Sequence, residues 1–261
     1  MILYFSGTGN SLEVAQQLAT HDGDKLLNIG EAYKYKKFEI TLKDSEDLGF
    51  VFPCYGGTTP PLLDNFIKHV SLKNQNGAPF VPRYCYAVIT CGAFVGDAAY
   101  FFADELLTHQ SIHLDASFSV KSVGNCVSLY DMPEKDKEKK LLEHARIGAD
   151  EVAQLISQRQ TGHFEKRNLF GIIMSKFSNK PEKPRSGENF YTLSTCTHCG
   201  HCEEICPTNT ITLIEGTPRW AELGCTQCFA CIHRCPPHAI QYTKKTENRG
   251  RYINPVLLNQ E

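Results

Sequence analysis

The sequence predicts an α/β protein: a doubly wound parallel sheet of five strands over residues 1–160, then a small α+β domain over residues 190–245. Three observations carry that reading. Short apolar runs alternate with helical ones through the first half of the chain, the pattern of a parallel sheet covered on both faces. Three loops that follow strand-like runs, SGTGNS, PCYGGTTPP and TCGAFVGD, each carry two glycines; they fall at the carboxyl ends of strands, where open α/β sheets bind ligands. Finally, eight of the 12 cysteines crowd between Cys196 and Cys235 in two copies of one pattern, C-x2-C-x2-C-x3-C-P.

Taken in order, MILYFS reads as the first strand, SGTGNS as a tight turn, and the segment after it as a helix whose Leu12, Val14, Ala15 and Leu18 share an apolar face. A second strand is expected at Asp24 to Ile29 and a buried third at Leu48 to Phe52, followed by a helix from Leu62 to Val70. Tyr84 to Thr90 is the fourth strand, with a helix through Tyr100, Phe101 and Leu106. The fifth is Leu114 to Val120. Pro133 to Gln160 is then a charged helix with an inner face of Leu141, Leu142, Ala145, Ile147, Val152, Leu155 and Ile156.

The first loop offers two glycines and four neutral hydrogen-bonding side chains, Ser6, Thr8, Asn10 and Ser11, with no Lys or Arg. Backbone N–H groups at a helix N-terminus attract anions without a cation, so Ser6, Gly7, Thr8, Gly9, Asn10 and Ser11 are candidates for a phosphate cradle. A P-loop needs Lys after its last Gly, and the dinucleotide fingerprint needs a third Gly where Leu12 stands; neither motif is met. The bland alternative is a glycine turn between strand and helix.

These three loops resemble those of flavodoxins. The resemblance implies that SGTGNS holds the phosphate of FMN, that Pro53, Tyr55, Gly56, Gly57 and Thr58 flank the flavin ring, and that Thr90, Cys91, Gly92, Phe94 and Gly96 close its other side. Tyr55 and Phe94 are the aromatic candidates for ring contact, and each can equally be read as a half-exposed loop aromatic. Asn125, in VGNCVSLYD, enters through the same resemblance. A lone Asn in a loop is ordinarily a turn residue. Cys54, Cys91 and Cys126 lie in or beside these loops with no neighbouring His–Asp pair, so small apolar packing is their expected role.

The cysteine runs, CTHCGHCEEICP and CTQCFACIHRCP, carry an iron–sulfur signature and resemble bacterial ferredoxins. In such proteins the fourth cysteine of each run serves the other cluster. By that resemblance Cys196, Cys199, Cys202 and Cys235 hold one 4Fe-4S cluster, and Cys225, Cys228, Cys231 and Cys206 hold a second. Structural zinc is the rival, but it needs four ligands and gives no reason for a repeated eight-cysteine pattern. His198, His201, His233 and His238 are read as exposed groups or as neighbours of the cluster ligands, since eight cysteines satisfy two cubanes. Ile205, Ile211, Leu213, Ile232 and Ile240 can supply an apolar shell, and TITLIEGTPRW a hairpin around Glu215 and Gly216.

Both halves together look like the fused flavodoxin–ferredoxin proteins of anaerobic microbes: a flavodoxin-like five-stranded sheet, then a two-cluster ferredoxin domain. The implied organisation is an FMN-binding domain at 1–160, a basic linker at 161–189, the ferredoxin domain at 190–245 and a tail at 246–261. The linker holds Lys166, Arg167, Lys176, Lys180, Lys183 and Arg185 against Glu165 and Glu182. It reads as a solvated helix, a membrane-surface segment, a dock for an acidic partner or a screen for the anionic clusters. A formal charge of −2 gives no reason to expect nucleic acid. No apolar stretch is long enough for a transmembrane segment, no signal peptide is recognisable at Met1, and thiol-rich usage suits a reducing cytoplasm. The expected function is transfer of low-potential electrons between two 4Fe-4S clusters and FMN, to or from redox partner proteins, within one chain or across a homodimer. A flavin-dependent reductase of a small molecule and a zinc-stabilised interaction module are the alternatives.

Overall fold

Strands buried on both faces need apolar side chains at every position, and the central runs here have them. Ile2, Leu3 and Leu48 are fully shielded, as are Phe50, Val51 and Phe52. In the computed structural model, which describes residues 1–178 and 186–258, the α/β part runs β1 (Ile2–Tyr4), α1 (Asn10–Asp22), β2 (Leu26–Asn28), α2 (Ile29–Lys34), β3 (Glu39–Leu42), β4 (Leu48–Pro53), α3 (Pro61–His69), β5 (Ser71–Asn74), β6 (Cys85–Cys91), α4 (Ala98–Gln110), β7 (Ala116–Lys121), α5 (Lys135–Ser157), β8 (Gly162–His163) and α6 (Leu169–Ser178). The main sheet has the order β2-β1-β4-β6-β7-β8, parallel throughout. Its first five strands follow the 2-1-3-4-5 arrangement of flavodoxin-like doubly wound folds.

The sheet therefore has six strands rather than five. The sixth is two residues long, Gly162 and His163 beside Ala116 and Ser117, too short to leave a periodic signal. The sequence reading also lacks α2 and the parallel pair β3–β5, which forms its own two-stranded sheet. Alternate residues of the main strands divide into two cores. Leu3, Phe50, Phe52, Ala87 and Ile89 face α3 and α4; Ile2, Val51, Val88 and Phe118 face α1 and α5.

On α5 the expected inner face needs one correction. Ile147 is 53% exposed, because it lies about 200° around the helix from Ala145. Leu142, Ala145, Ala149, Val152, Ala153 and Ile156 form the buried stripe instead, and its three alanines let the helix sit close to the sheet.

The ferredoxin-type part is built from β9 (Phe190–Thr192), α7 (His201–Glu204), β10 (Ile211–Ile214), β11 (Thr217–Trp220), α8 (Ala230–His233) and β12 (Ile240–Tyr242). β9 pairs antiparallel with β12, and β10 with β11. Glu215 and Gly216 both have positive φ, 50° and 75°, at the hairpin tip, as a primed two-residue turn requires. Ile211, Ile232 and Ile240 are buried among the cysteines, while Ile205 and Leu213 are half-buried. After a 3-10 turn (Lys244–Asn248) and α9 (Pro255–Leu258), the tail lies against the first loop: the Asn254 N–H donates to the Thr8 carbonyl at 2.8 Å and its side chain to Glu13 at 2.7 Å.

The basic stretch at 161–189 contains β8 and α6. Asp97, just before α4, pairs with Arg167 and accepts from the Ser175 hydroxyl at 2.6 Å. Lys180, Pro181, Glu182, Lys183, Pro184 and Arg185 lie outside the described residues. Among the described residues no helix is long and apolar enough to cross a membrane.

Gly49 in β4 tests the packing. A Cβ there would lie 2.4 Å from the ring of Tyr86, itself 1% exposed and so unable to move aside. Gly49→Ala should lower stability by roughly 1–3 kcal/mol, the usual cost of overpacking. Thermal denaturation followed by far-UV circular dichroism checks this, and an unchanged midpoint would contradict it.

Candidate functional site

The glycine loops converge at the carboxyl ends of β1, β4 and β6, as the topology dictates. In the first, the Gly9 N–H donates to Ser6 Oγ at 3.0 Å, which tightens the turn so that the first N–H groups of α1 face the loop. Ser11 Oγ lies 2.8 Å from Thr90 Oγ1 and ties this loop to the third. Asn125 Nδ2 donates to Thr8 Oγ1 at 2.9 Å and ties it to the segment after β7. In the second loop the Tyr55 N–H donates to the Thr58 carbonyl at 2.9 Å. Gly56 and Gly57, at φ 66° and 90°, make the reversal between them.

Together these loops enclose a cleft of ≈ 520 Å³, within the range of cofactor sites. Ser6, Gly7, Thr8, Asn10, Ser11, Pro53, Tyr55, Gly56, Thr90, Cys91, Gly92, Phe94 and Asn125 line it. Four other candidates stand behind the wall. Gly9 faces Asn254 and Leu257 of the tail; Gly57 and Gly96 pack on each other and on the Gly171 carbonyl of α6. Thr58 is buried, its hydroxyl donating to the Tyr55 carbonyl at 2.9 Å. Asn10 lines the cleft but is largely engaged elsewhere: its amide donates to the Val123 carbonyl at 2.8 Å and its oxygen accepts from Tyr252 and Asn254.

The cleft is amphipathic. Its lining combines the α1 N-terminus and the hydroxyls of the first loop with the rings of Tyr55, Phe94, Tyr130 and Phe229. A flat aromatic ring carrying a phosphate fits that donor set. Burial pushes the Cys54 thiol up to about 12, against the lowering effect of the Gly57 N–H, and the Cys91 thiol up to about 11. Both are neutral wall groups at ordinary pH rather than nucleophiles.

The segment around Asn125, expected beside the cleft, closes one side of it through Ser122 to Cys126 and Ser128 to Tyr130; sequence reasoning missed the other side, which Gln227, Phe229 and Tyr242 of the ferredoxin-type part close. Gln227 and Phe229 lie inside the second cysteine run, where the cysteine spacing masks any other role. The loop reaches the cleft because Gly7 has no side chain: a Cβ there would be 2.6 Å from the Cys228 carbonyl oxygen. His233 was also misread. It is 1% exposed, and its Nε2–H donates to the Asn125 carbonyl at 2.8 Å while Nδ1 accepts the Tyr252 N–H at 3.2 Å. Burial pushes its pKa down to about 4, so the ring is a neutral bracket between the two parts. His198 and His238 are exposed and His201 is half-buried.

The cysteines fall into the crossed sets. Cys196, Cys199, Cys202 and Cys235 line one cavity with Leu213, Pro218 and Ile240. The thiols of Cys228, Cys225 and Cys206, and less strongly Cys202 of the first set, are close enough to act electrostatically on Cys231. Burial first, then the neighbouring thiols, raise Cys228 to about 12, and burial with Cys235 and Cys199 raises Cys202 to about 11. Thiolates gathered here therefore need metal charge to exist, and ligation releases protons. Among the described residues no three His, Cys, Asp or Glu side chains close on a single-ion site.

The backbone repeats between the runs. The His198 and Gln227 N–H groups approach Cys196 and Cys225 sulfur at 3.5 and 3.4 Å, a contact that tunes cluster potential. The pairs His198 and Gln227, Gly200 and Phe229, and Asn209 and His238 all have positive φ. A left-handed conformation is free for Gly200, but at Phe229 it costs about 1–2 kcal/mol.

The family model that matches is the 4Fe-4S dicluster domain, over residues 188–236. A ferredoxin of Chlorobaculum thiosulfatiphilum is 38% identical over 56 residues, which cover 19% of this chain and 92% of that protein. Solved structures overlap the α/β part at low identity. Azoreductase AzrA is 10% identical with a TM-score of 0.36, covering 60% of this chain and 99% of that one. General stress protein 14 of Treponema denticola, in complex with FMN, is 16% identical with a TM-score of 0.34, covering 60% and 97%. Scores this low add nothing to the strand order, which by itself fixes the fold. The chain belongs, through residues 188–236, to the 4Fe-4S dicluster ferredoxins, and carries that unit behind a doubly wound α/β domain of flavodoxin-like order.

Proposed function

We propose that this protein is an electron carrier that joins two 4Fe-4S clusters to an FMN site within one chain, exchanging low-potential electrons with redox partner proteins. One observation carries the proposal: Gln227, Phe229 and Tyr242, from the cluster-binding unit, line the same cleft as the three glycine loops. Bound clusters supply one-electron chemistry and FMN one- or two-electron chemistry.

The chain's own residues do the rest. The first turn of α1 and the hydroxyls of Ser6 and Thr8 receive the phosphate. Tyr55 and Phe94 hold the ring, and the Cys54 and Cys91 thiols present neutral, apolar contacts. Gly7 lets the second cysteine run approach, with the Thr226 hydroxyl accepting the Leu62 N–H at 3.3 Å. His233 fixes the carbonyl of Asn125, whose side chain fixes Thr8.

Anaerobic purification should yield about eight iron and eight sulfide per chain with one FMN. Iron without flavin would defeat the assignment of the cleft; zinc without iron would defeat the assignment of the clusters. Saturable, substrate-dependent reoxidation of the flavin by a small molecule would identify a reductase instead of a carrier.

Gly7→Ala should push the Cys228 loop away, because the clashing atom is a backbone carbonyl that cannot turn aside. The expected loss is about 1–3 kcal/mol in the docked state, seen as weaker FMN binding by fluorescence titration with iron content retained. Wild-type affinity in this variant would show that the close approach is not needed.

A further inference from the structure

We infer that the two iron–sulfur sites are ordered as an outer port and an inner station, and that Phe229 is the positioning residue through which the inner one meets the flavin cleft. The inference deepens the function proposed above and rests on it for the identity of the ligand in the cleft.

Exposure separates the two sets. In the first, Cys199 is exposed and Cys196, Cys202 and Cys235 are half-buried. Ser194, Thr195, Thr197 and His198 around them face solvent. In the second, Cys206 and Cys231 are buried and Cys225 and Cys228 half-buried, with none exposed, and Cys228 sits with its carbonyl against Gly7. Electron transfer falls steeply with distance, so a separate redox protein reaches the first set more readily than the second. The second set is the one whose ligand loop touches the cleft.

Phe229 marks that contact. The two runs share their backbone down to matching left-handed residues, and where the outer run has Gly200 the inner run has Phe229 at φ 57°. Cluster binding does not ask for a side chain at this position, as Gly200 shows. The ring packs against Phe190 and Tyr242, at 6.0 and 5.4 Å between centroids, and lines the cleft. A strained aromatic at a cavity wall points to a role in that cavity.

Two measurements on the full-length, anaerobically prepared protein test this. In the first, iron is removed partially with a bulky chelator, and freed thiols are alkylated and mapped by mass spectrometry. Cys196, Cys199, Cys202 and Cys235 should label several-fold faster than Cys206, Cys225, Cys228 and Cys231; equal or reversed labelling overturns the order. This readout does not involve flavin, so it stands even if the wild-type protein binds none. In the second, Phe229→Gly and Phe229→Asn, both compatible with the left-handed backbone, are titrated with FMN. Iron and sulfide content should match wild type while the FMN Kd rises several-fold in both. An unchanged Kd in either variant overturns the role of Phe229, and loss of iron in both shows that the ring serves the cluster fold instead. If wild type itself does not bind FMN, the proposed function fails, and with it the role of Phe229.

Discussion

The structure depends on one close approach between backbones, the Cys228 carbonyl against Gly7. It brings a metal-binding loop and a helix N-terminus, more than 200 residues apart in the chain, into the same wall. Around it the polar groups of both parts are satisfied mutually. Lys34 reaches the carbonyls of Glu203 and Glu204, Asn209 donates to the Lys34 carbonyl at 2.9 Å, and Arg249 donates to the Val127 carbonyl at 2.6 Å. Carbonyls at the end of a short helix need such donors, since they have no partner within it. The interface thus fastens through side chains of one part donating to backbone carbonyls of the other, and needs one side chain, at Gly7, to be absent.

The cysteine unit runs on a different balance. Buried thiols crowded together resist ionisation, and left-handed residues such as His198, Gln227 and Phe229 add conformational cost. A small domain with little core of its own can hold that arrangement only when metal ligation offsets both. The two runs meet the requirement by repeating one loop twice, with the fourth cysteine of each completing the other set. Crossing of this kind couples the halves: neither loop can open without disturbing the ligands of both.

Much of this was legible in the sequence, for physical reasons that differ by element. Cysteine spacing is set by cluster geometry, so it survives as a literal pattern. The long parallel strands are buried on both sides and therefore announce themselves as unbroken apolar runs. What stayed hidden lacks any such constraint. Gly162 and His163 pair over only two residues, and the phase of α5 is decided by alanines that look neutral beside the more conspicuous Ile147. In the cleft, glycine loops marked the right three corners but not which residues face inward. Gly9, Gly57 and Gly96 support the wall from behind, through contacts with the tail and α6 that lie far away in sequence, and Thr58 does so through its bond to Tyr55. Phe229 and Gln227 carry no signal of their own, because the cluster geometry that sets the cysteine spacing leaves the residues between them free to vary.

The fastening at both ends of the ferredoxin-type unit has a last consequence. Before it, Asp97 grips α6 through Arg167 and Ser175; after it, Tyr252 and Asn254 grip Asn10 and Glu13. A domain tethered at one end can swing, trading speed of internal transfer for reach toward a partner. One clasped at both ends forgoes that freedom, so mobility has to come from whatever binds it.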